Sequence, residues 1–164
     1  MSDALPILTQ RRIEAAFAKG VYEEMKAELG EATATRILSA AVIKLAKETA
    51  AEMARQAPDG EADLDSFRAI QSRWTAEDAL RIDVVKSTAH EFHFNVTRCR
   101  YAEMYRAMGL GKIGHILSCN RDGTFCEGYD DRITLQRSQT IMGGASHCDF
   151  RYRVEPSKSQ PGKS

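Results

Sequence analysis

The chain has 164 residues with 23 basic and 23 acidic side chains, a formal net charge of zero. That length suits one domain with a real core, and the balance argues against a dedicated nucleic-acid binder, which carries a basic surplus. No apolar run approaches the ~20 residues of a membrane span, and the first six residues lack a charged segment followed by an apolar one, so no secretory leader is expected and a cytoplasmic location is.

The first half has the period of a helix. Ile13, Phe17, Val21, Met25 and Leu29 recur every fourth residue, one apolar stripe expected to pack in the core. Gly30 stands where a helix-ending glycine belongs. A second helix follows, with Leu38, Val42, Leu45 and Met53 on one side and many alanines that favour helix and allow close packing. Pro58-Asp59-Gly60 ends it. A third helix is expected from Leu64 to about Trp74, with Asp63 as its N-cap. No motif of chemistry precedes Trp74.

The period then changes to two. Ile82 and Val84 alternate with polar neighbours, as do Phe92, Phe94 and Val96. These predict a hairpin turning between Ser87 and His90. Helix returns at Tyr101, Met104, Tyr105 and Met108 and stops at Gly109, and a short helix around Ile113–Leu117 delivers Cys119. The stretch 120–131 suits a loop or an irregular helix. Strands over 133–142 and 147–154, joined by Gly143-Gly144-Ala145-Ser146, predict a second hairpin. The order implies an α+β domain over 1–155: N-terminal helices, then two hairpins forming a four-stranded antiparallel sheet with helices on one face. The other face would need water, a partner chain or more helix, and a homodimer is one way to cover it. The segment 156–164 is Pro/Ser/Lys/Gly-rich and expected to be disordered.

Chemistry-bearing residues concentrate in the last third. Arg98 ends the second strand and suits bidentate binding of a carboxylate, with Asn95 as a polar helper. An ion pair between Arg98 and Glu103 is the equal alternative. Cys119 and Asp122 are three apart, so one helix turn points both the same way. A carboxylate raises a neighbouring thiol pKa, so the pair suits metal ligation, or a cysteine nucleophile with a carboxylate base. The competing reading is a core cysteine beside a turn-forming aspartate. On the last strand Cys148, Phe150 and Tyr152 share one face, while His147, Asp149, Arg151 and Arg153 share the other. Asp149 and Arg151 either pair on an open sheet face or line a polar pocket as base and anion binder. The cysteines Cys99, Cys119, Cys126 and Cys148 contain no C-x-x-C pair, so a zinc ribbon is a poor fit. Nothing in the sequence demands a cofactor. If a zinc or other divalent ion binds, Cys119, Asp122 and Cys148 are its expected ligands.

Three segments carry a resemblance: N-V-T-R-C-R-Y-A-E at 95–103, C-x-x-D at 119–122, and T-I-x-G-G…C-D-F-R-Y at 140–152. Together the chain resembles the L-2-amino-thiazoline-4-carboxylic acid hydrolase family. The resemblance implies a ring-opening reaction on a small-molecule substrate. Water adds at the amidine-type carbon, the carbon–sulfur bond breaks, and an N-carbamoyl-cysteine results. Such chemistry needs a base or a nucleophile, donors for the tetrahedral centre and a cation for the carboxylate. Asp149 or Asp122 can be the base, Cys148 or Cys119 the nucleophile, and Arg98 or Arg151 the clamp, with Asn95 assisting. The element order is also similar to 4-vinyl reductase-type ligand-binding domains, which implies a non-catalytic small-molecule binder as the alternative, with zinc a further option.

Overall fold

In the computed structural model, which describes residues 4–155, two long helices come first, α1 (Ile7–Leu29) and α2 (Glu31–Arg55). A single residue joins them. Gly30 takes φ +84°, a region that side-chain-bearing residues avoid, and its N–H bonds the Lys26 carbonyl at 3.0 Å. The expected third helix divides at Gln71 into α3 (Leu64–Ile70) and α4 (Ser72–Thr75). Asp63 caps α3 reciprocally with Ser66: each side chain accepts the other's backbone N–H, at 2.8 and 3.0 Å.

The stripe on α1 corrects the sequence expectation. Ile13 is 57% exposed and Phe17 77%, and Val21 and Leu29 are exposed with them. Ala15 and Tyr22 are the buried residues instead. A strict four-residue spacing winds about 40° around the helix per step. Helix α1 packs chiefly on α2 and α5, through the side that carries Ala15 and Tyr22, so most of that winding row leaves the contact. The row Ala34, Leu38, Val42, Ala46 and Ala50 on α2 has the same spacing but is buried throughout, because α1 covers its first part and α6 its last. Leu45 lies off that row and is exposed.

Four strands form one antiparallel sheet in the order β1-β2-β4-β3: β1 (Leu80–Ser87), β2 (Glu91–Cys99), β3 (Ile133–Gln136) and β4 (Cys148–Val154). The central pair sets Phe92 opposite Tyr152, Phe94 opposite Phe150 and Val96 opposite Cys148. All six are buried, and α2, α3 and α6 pack over them. The opposite face carries Glu91, His93, Asn95, Asp149, Arg151 and Arg153. Between β2 and β3 lie α5 (Arg100–Ala107), a wide π turn at His115–Cys119, and α6 (Asn120–Tyr129). The stretch 120–131, expected as a loop or irregular helix, is therefore mostly regular helix. Gly128 permits it to lie close to α2: a Cβ there would stand 3.0 Å from the Lys47 Cα and 3.1 Å from its carbonyl oxygen.

The second hairpin also differs from expectation. Strand β3 stops at Gln136 rather than running to residue 142. The Asp149 carboxylate accepts the backbone N–H groups of Ser138 and Gln139, at 3.0 and 2.9 Å, and the Ser138 hydroxyl. Those bonds occupy donors that a longer ladder would use. A local turn follows, with Thr140 accepting from Gly143 and Ala145. The expected disordered segment 156–164 lies outside the described residues.

Candidate functional site

A cavity of about 600 Å³ separates the two parts of the core, bounded by α1 and α2, the inner sheet face, and the π turn with α6. Phe67, Trp74, Phe94, Phe125, Phe150 and Tyr152 make an aromatic wall. The ring of Phe94 stacks on that of Phe150 at 4.9 Å and 10°. Phe17, Val21 and Leu45 line the cavity and are exposed, so it reaches the surface between α1 and α2.

Polar groups gather where α6 begins. The π turn ends at Cys119, so Asp122 falls in the first turn of α6 and lines the cavity. Arg137, one residue past β3, donates to Asp122 from Nη1 at 2.5 Å and to the Cys119 carbonyl from Nη2 at 3.0 Å. Its guanidinium also lies over the Phe150 ring at 5.0 Å. Asp122 keeps 32% of its side-chain surface open and lines the cavity. Burial pushes its carboxyl above the ordinary aspartate value, and Arg137 only partly offsets this.

Cysteines surround this carboxyl. Cys148 opens β4 and faces the cavity, its sulfur accepting the Ile141 N–H at 3.2 Å. Cys99 lines it too, because of a bulge in β2. Arg81 pairs with Arg98 and Ile82 with Val96, which leaves Thr97 as the extra residue. The alternation therefore flips, turning Cys99 inward and Arg98 outward. Burial raises the thiols, Cys99 to about 11, Cys119 to about 12 and Cys148 upward, and the Asp122 charge adds to each. All three stay protonated at neutral pH.

A second polar group lies on the helical side. Arg11 Nη1 donates to Glu14 Oε2 at 2.7 Å, and Arg121 Nη2 donates to the same oxygen at 3.4 Å. Arg121 also holds the Leu117 carbonyl through Nε at 2.7 Å. All three side chains line the cavity, and both arginines bear on Asp122 electrostatically.

Among the residues expected from sequence, Asp122 and Cys148 face the cavity together. Cys119 adjoins them through its carbonyl but is not part of the lining. Four others stand elsewhere. Arg98 pairs with Glu103 at 2.9 Å and Asp78 at 3.3 Å, outside the cavity. Asn95 and Arg151 bond each other at 2.9 Å on the opposite sheet face. Asp149 shares that face and holds the β3–β4 loop. Among the described residues no three His, Cys, Asp or Glu side chains converge as metal ligands, so Cys119, Asp122 and Cys148 do not form a ready coordination shell. Arg137, Arg11, Glu14, Arg121 and Cys99 were not singled out from sequence. A signal existed for Arg11 and Glu14, charged residues three apart on the side of α1 that carries Ala15 and Ala18.

A family model described as L-2-amino-thiazoline-4-carboxylic acid hydrolase matches residues 10–152. No curated protein matches the chain. Among solved structures, the phenol-responsive sensory domain of the transcription activator PoxR, crystallised with phenol, superposes with a TM-score of 0.55. Its identity is 14%, and the match covers 85% of this chain and 73% of that one. That likeness is one of fold alone. A trafficking protein particle complex subunit 3 from Naegleria fowleri, covalently bound to palmitic acid, reaches a TM-score of 0.48 at 10% identity, over 90% of this chain and 96% of that one. At that score it carries no argument.

Proposed function

The chain belongs to the L-2-amino-thiazoline-4-carboxylic acid hydrolase family, and from that premise we propose a hydrolase that opens a small five-membered heterocycle at its amidine-type carbon. One observation carries the reading. Asp122 presents a carboxyl of raised pKa to a cavity, with Arg137 fixing its orientation. A base of that kind, closer to neutrality than a surface aspartate, suits proton transfer from water.

The reaction follows from the groups at hand. A cyclic isothiourea enters with its ring nitrogen protonated. Asp122 takes a proton as water attacks the carbon between nitrogen and sulfur. The tetrahedral centre collapses with cleavage of the carbon–sulfur bond. Its hydroxyl becomes the urea carbonyl, and the departing sulfur receives a proton. For 2-amino-thiazoline-4-carboxylate the product is N-carbamoyl-cysteine. The sulfur is a good leaving group, since a thiol has a pKa of about 8.5. Cys148 forms part of the wall beside the reacting carbon. Its thiol, protonated by burial, is a weaker candidate nucleophile than base-activated water.

The test is thiol release from 2-amino-thiazoline-4-carboxylate by purified protein, with bound metal measured on the same sample. Asp122→Asn is expected to lower release by about 10²-fold or more with the circular dichroism spectrum unchanged, and Cys148→Ser to retain it. Full activity in the Asp122 variant would remove this assignment. A dead Cys148 variant would move the chemistry to a covalent route. A second reading, a binding module without turnover, draws on the largely apolar lining. It expects an apolar ligand to survive incubation unchanged.

A further inference from the structure

We infer that the substrate is an amphipathic carboxylate, its anionic group held between Arg11 and Arg121 and a bulky apolar substituent lying on the aromatic wall. The inference deepens the hydrolase reading and, as a statement about substrate, rests on it.

Size is the first argument. An unsubstituted thiazoline carboxylate displaces roughly the volume of five waters, ~150 Å³ at about 30 Å³ each. The cavity holds about 600 Å³. A ligand that fits its pocket buries most of its own surface and leaves little wall bare. The bare part here is apolar, and water would gain few hydrogen bonds there.

Charge is the second argument. The lining carries four arginines, Arg11, Arg73, Arg121 and Arg137, against two carboxylates, Glu14 and Asp122. Arg137 is matched by Asp122. Arg11 and Arg121 share one oxygen of Glu14, although only 14% and 19% of their side chains are exposed. Two guanidiniums on one carboxylate leave a positive charge without a counterion, and burial together with Arg11 holds Arg121 below its ordinary value. A ligand carboxylate completes the set, and arginine's planar fork suits it. Arg121 and Asp122 both line the cavity, and the Arg121 charge bears on the Asp122 carboxyl, so a carboxylate held by the first keeps its ring in the space that the second faces.

The aromatic wall is the third argument. Flat apolar faces, with the Phe94 and Phe150 rings in parallel contact, favour an aryl substituent over a polar one.

The experiment is isothermal titration of wild-type protein with phenylacetate, phenylpropanoate and phenylbutanoate, and with phenylbutanol as the uncharged control. Affinity is expected to rise about fourfold per added methylene and to fall at least about tenfold when the alcohol replaces the carboxylate. Arg11→Met is expected to lower phenylbutanoate affinity about tenfold. Arg121→Met is expected to do the same and, if it fails to fold, the alcohol comparison on wild type decides the point. Equal affinity across the acids, or for acid and alcohol, would overturn the inference. Turnover is scored separately as the ratio of thiol release from a 5-phenyl thiazoline carboxylate to that from the unsubstituted ring. A higher kcat/KM for the phenyl compound supports the substrate class and a lower one overturns it. Release from neither compound removes the hydrolase reading, and the titrations still decide the ligand class.

Discussion

Asp122, as the proposed base, would tie a stability profile and an activity profile to one carboxyl. Burial raises its pKa above 3.8. Between that value and the raised one, the folded chain holds more protons than the unfolded chain, so stability falls as pH rises through this window and is level above it. Activity runs the other way, because a base must be ionised. The acid limb of kcat/KM is expected to have its midpoint above 3.8, and the limb should disappear with activity in Asp122→Asn. A midpoint at or below the ordinary aspartate value would assign the limb to a solvated group. The candidate site was partly legible at this scale. C-x-x-D and C-D-F-R mark Asp122 and Cys148, which both line the cavity. Asn95, Asp149 and Arg151 were flagged as well, but alternation says only that two residues share a face, not whether helices cover it. Arg98 lies outside the cavity because of a single bulge residue, Thr97, which no spacing rule announces.

Among elements, the contact between α2 and α6 positions the site, because α6 carries Arg121 and Asp122. Helix propensity alone predicts that Gly128→Ala stabilises α6 by about 1 kcal/mol. The Lys47 backbone stands 3.0–3.1 Å from the required Cβ, and a helix backbone does not give way as a flexible side chain does. A net loss of about 1–2 kcal/mol in urea unfolding is expected, with reduced thiol release. A stabilised variant would mean that the helices stand farther apart. The β3–β4 loop depends on Asp149 in a different way. Burial alone would raise this carboxyl, but the Ser138 hydroxyl and the Ser138 and Gln139 amides hold it below 3.8. A lowered native pKa gives stability that is present above the unfolded value and is lost as pH falls through the native one. Asp149→Asn is expected to cost about 1 kcal/mol at pH 7, with the two urea midpoints converging as pH falls below 3.8. A constant difference at all pH values would mean that charge is not what holds the loop.

At the scale of the whole molecule, element types and the four-stranded antiparallel sheet were legible because periods of two and near four report local geometry directly. The interior was not. The stripe Ile13–Phe17–Val21 has the composition of a core, yet all three are exposed, and Phe17 and Val21 border an opening, because the helical pair and the sheet enclose space instead of meeting. No local period encodes a gap between layers. That gap has a thermodynamic consequence. Atoms lining an apolar cavity lack partners on one side and forfeit dispersion energy that close packing would supply. Ala46 lines the cavity although it has little free surface of its own, 2%, so the added atoms of a larger apolar side chain must turn toward that space. Ala46→Leu is expected to stabilise the protein by about 1 kcal/mol in urea unfolding, while weakening phenylbutanoate binding and slowing thiol release. Opposite movement of stability and activity is the signature of a cavity kept open for a ligand. A destabilised variant would mean instead that the layers close over this space in solution and that Ala46 already sits at full packing density.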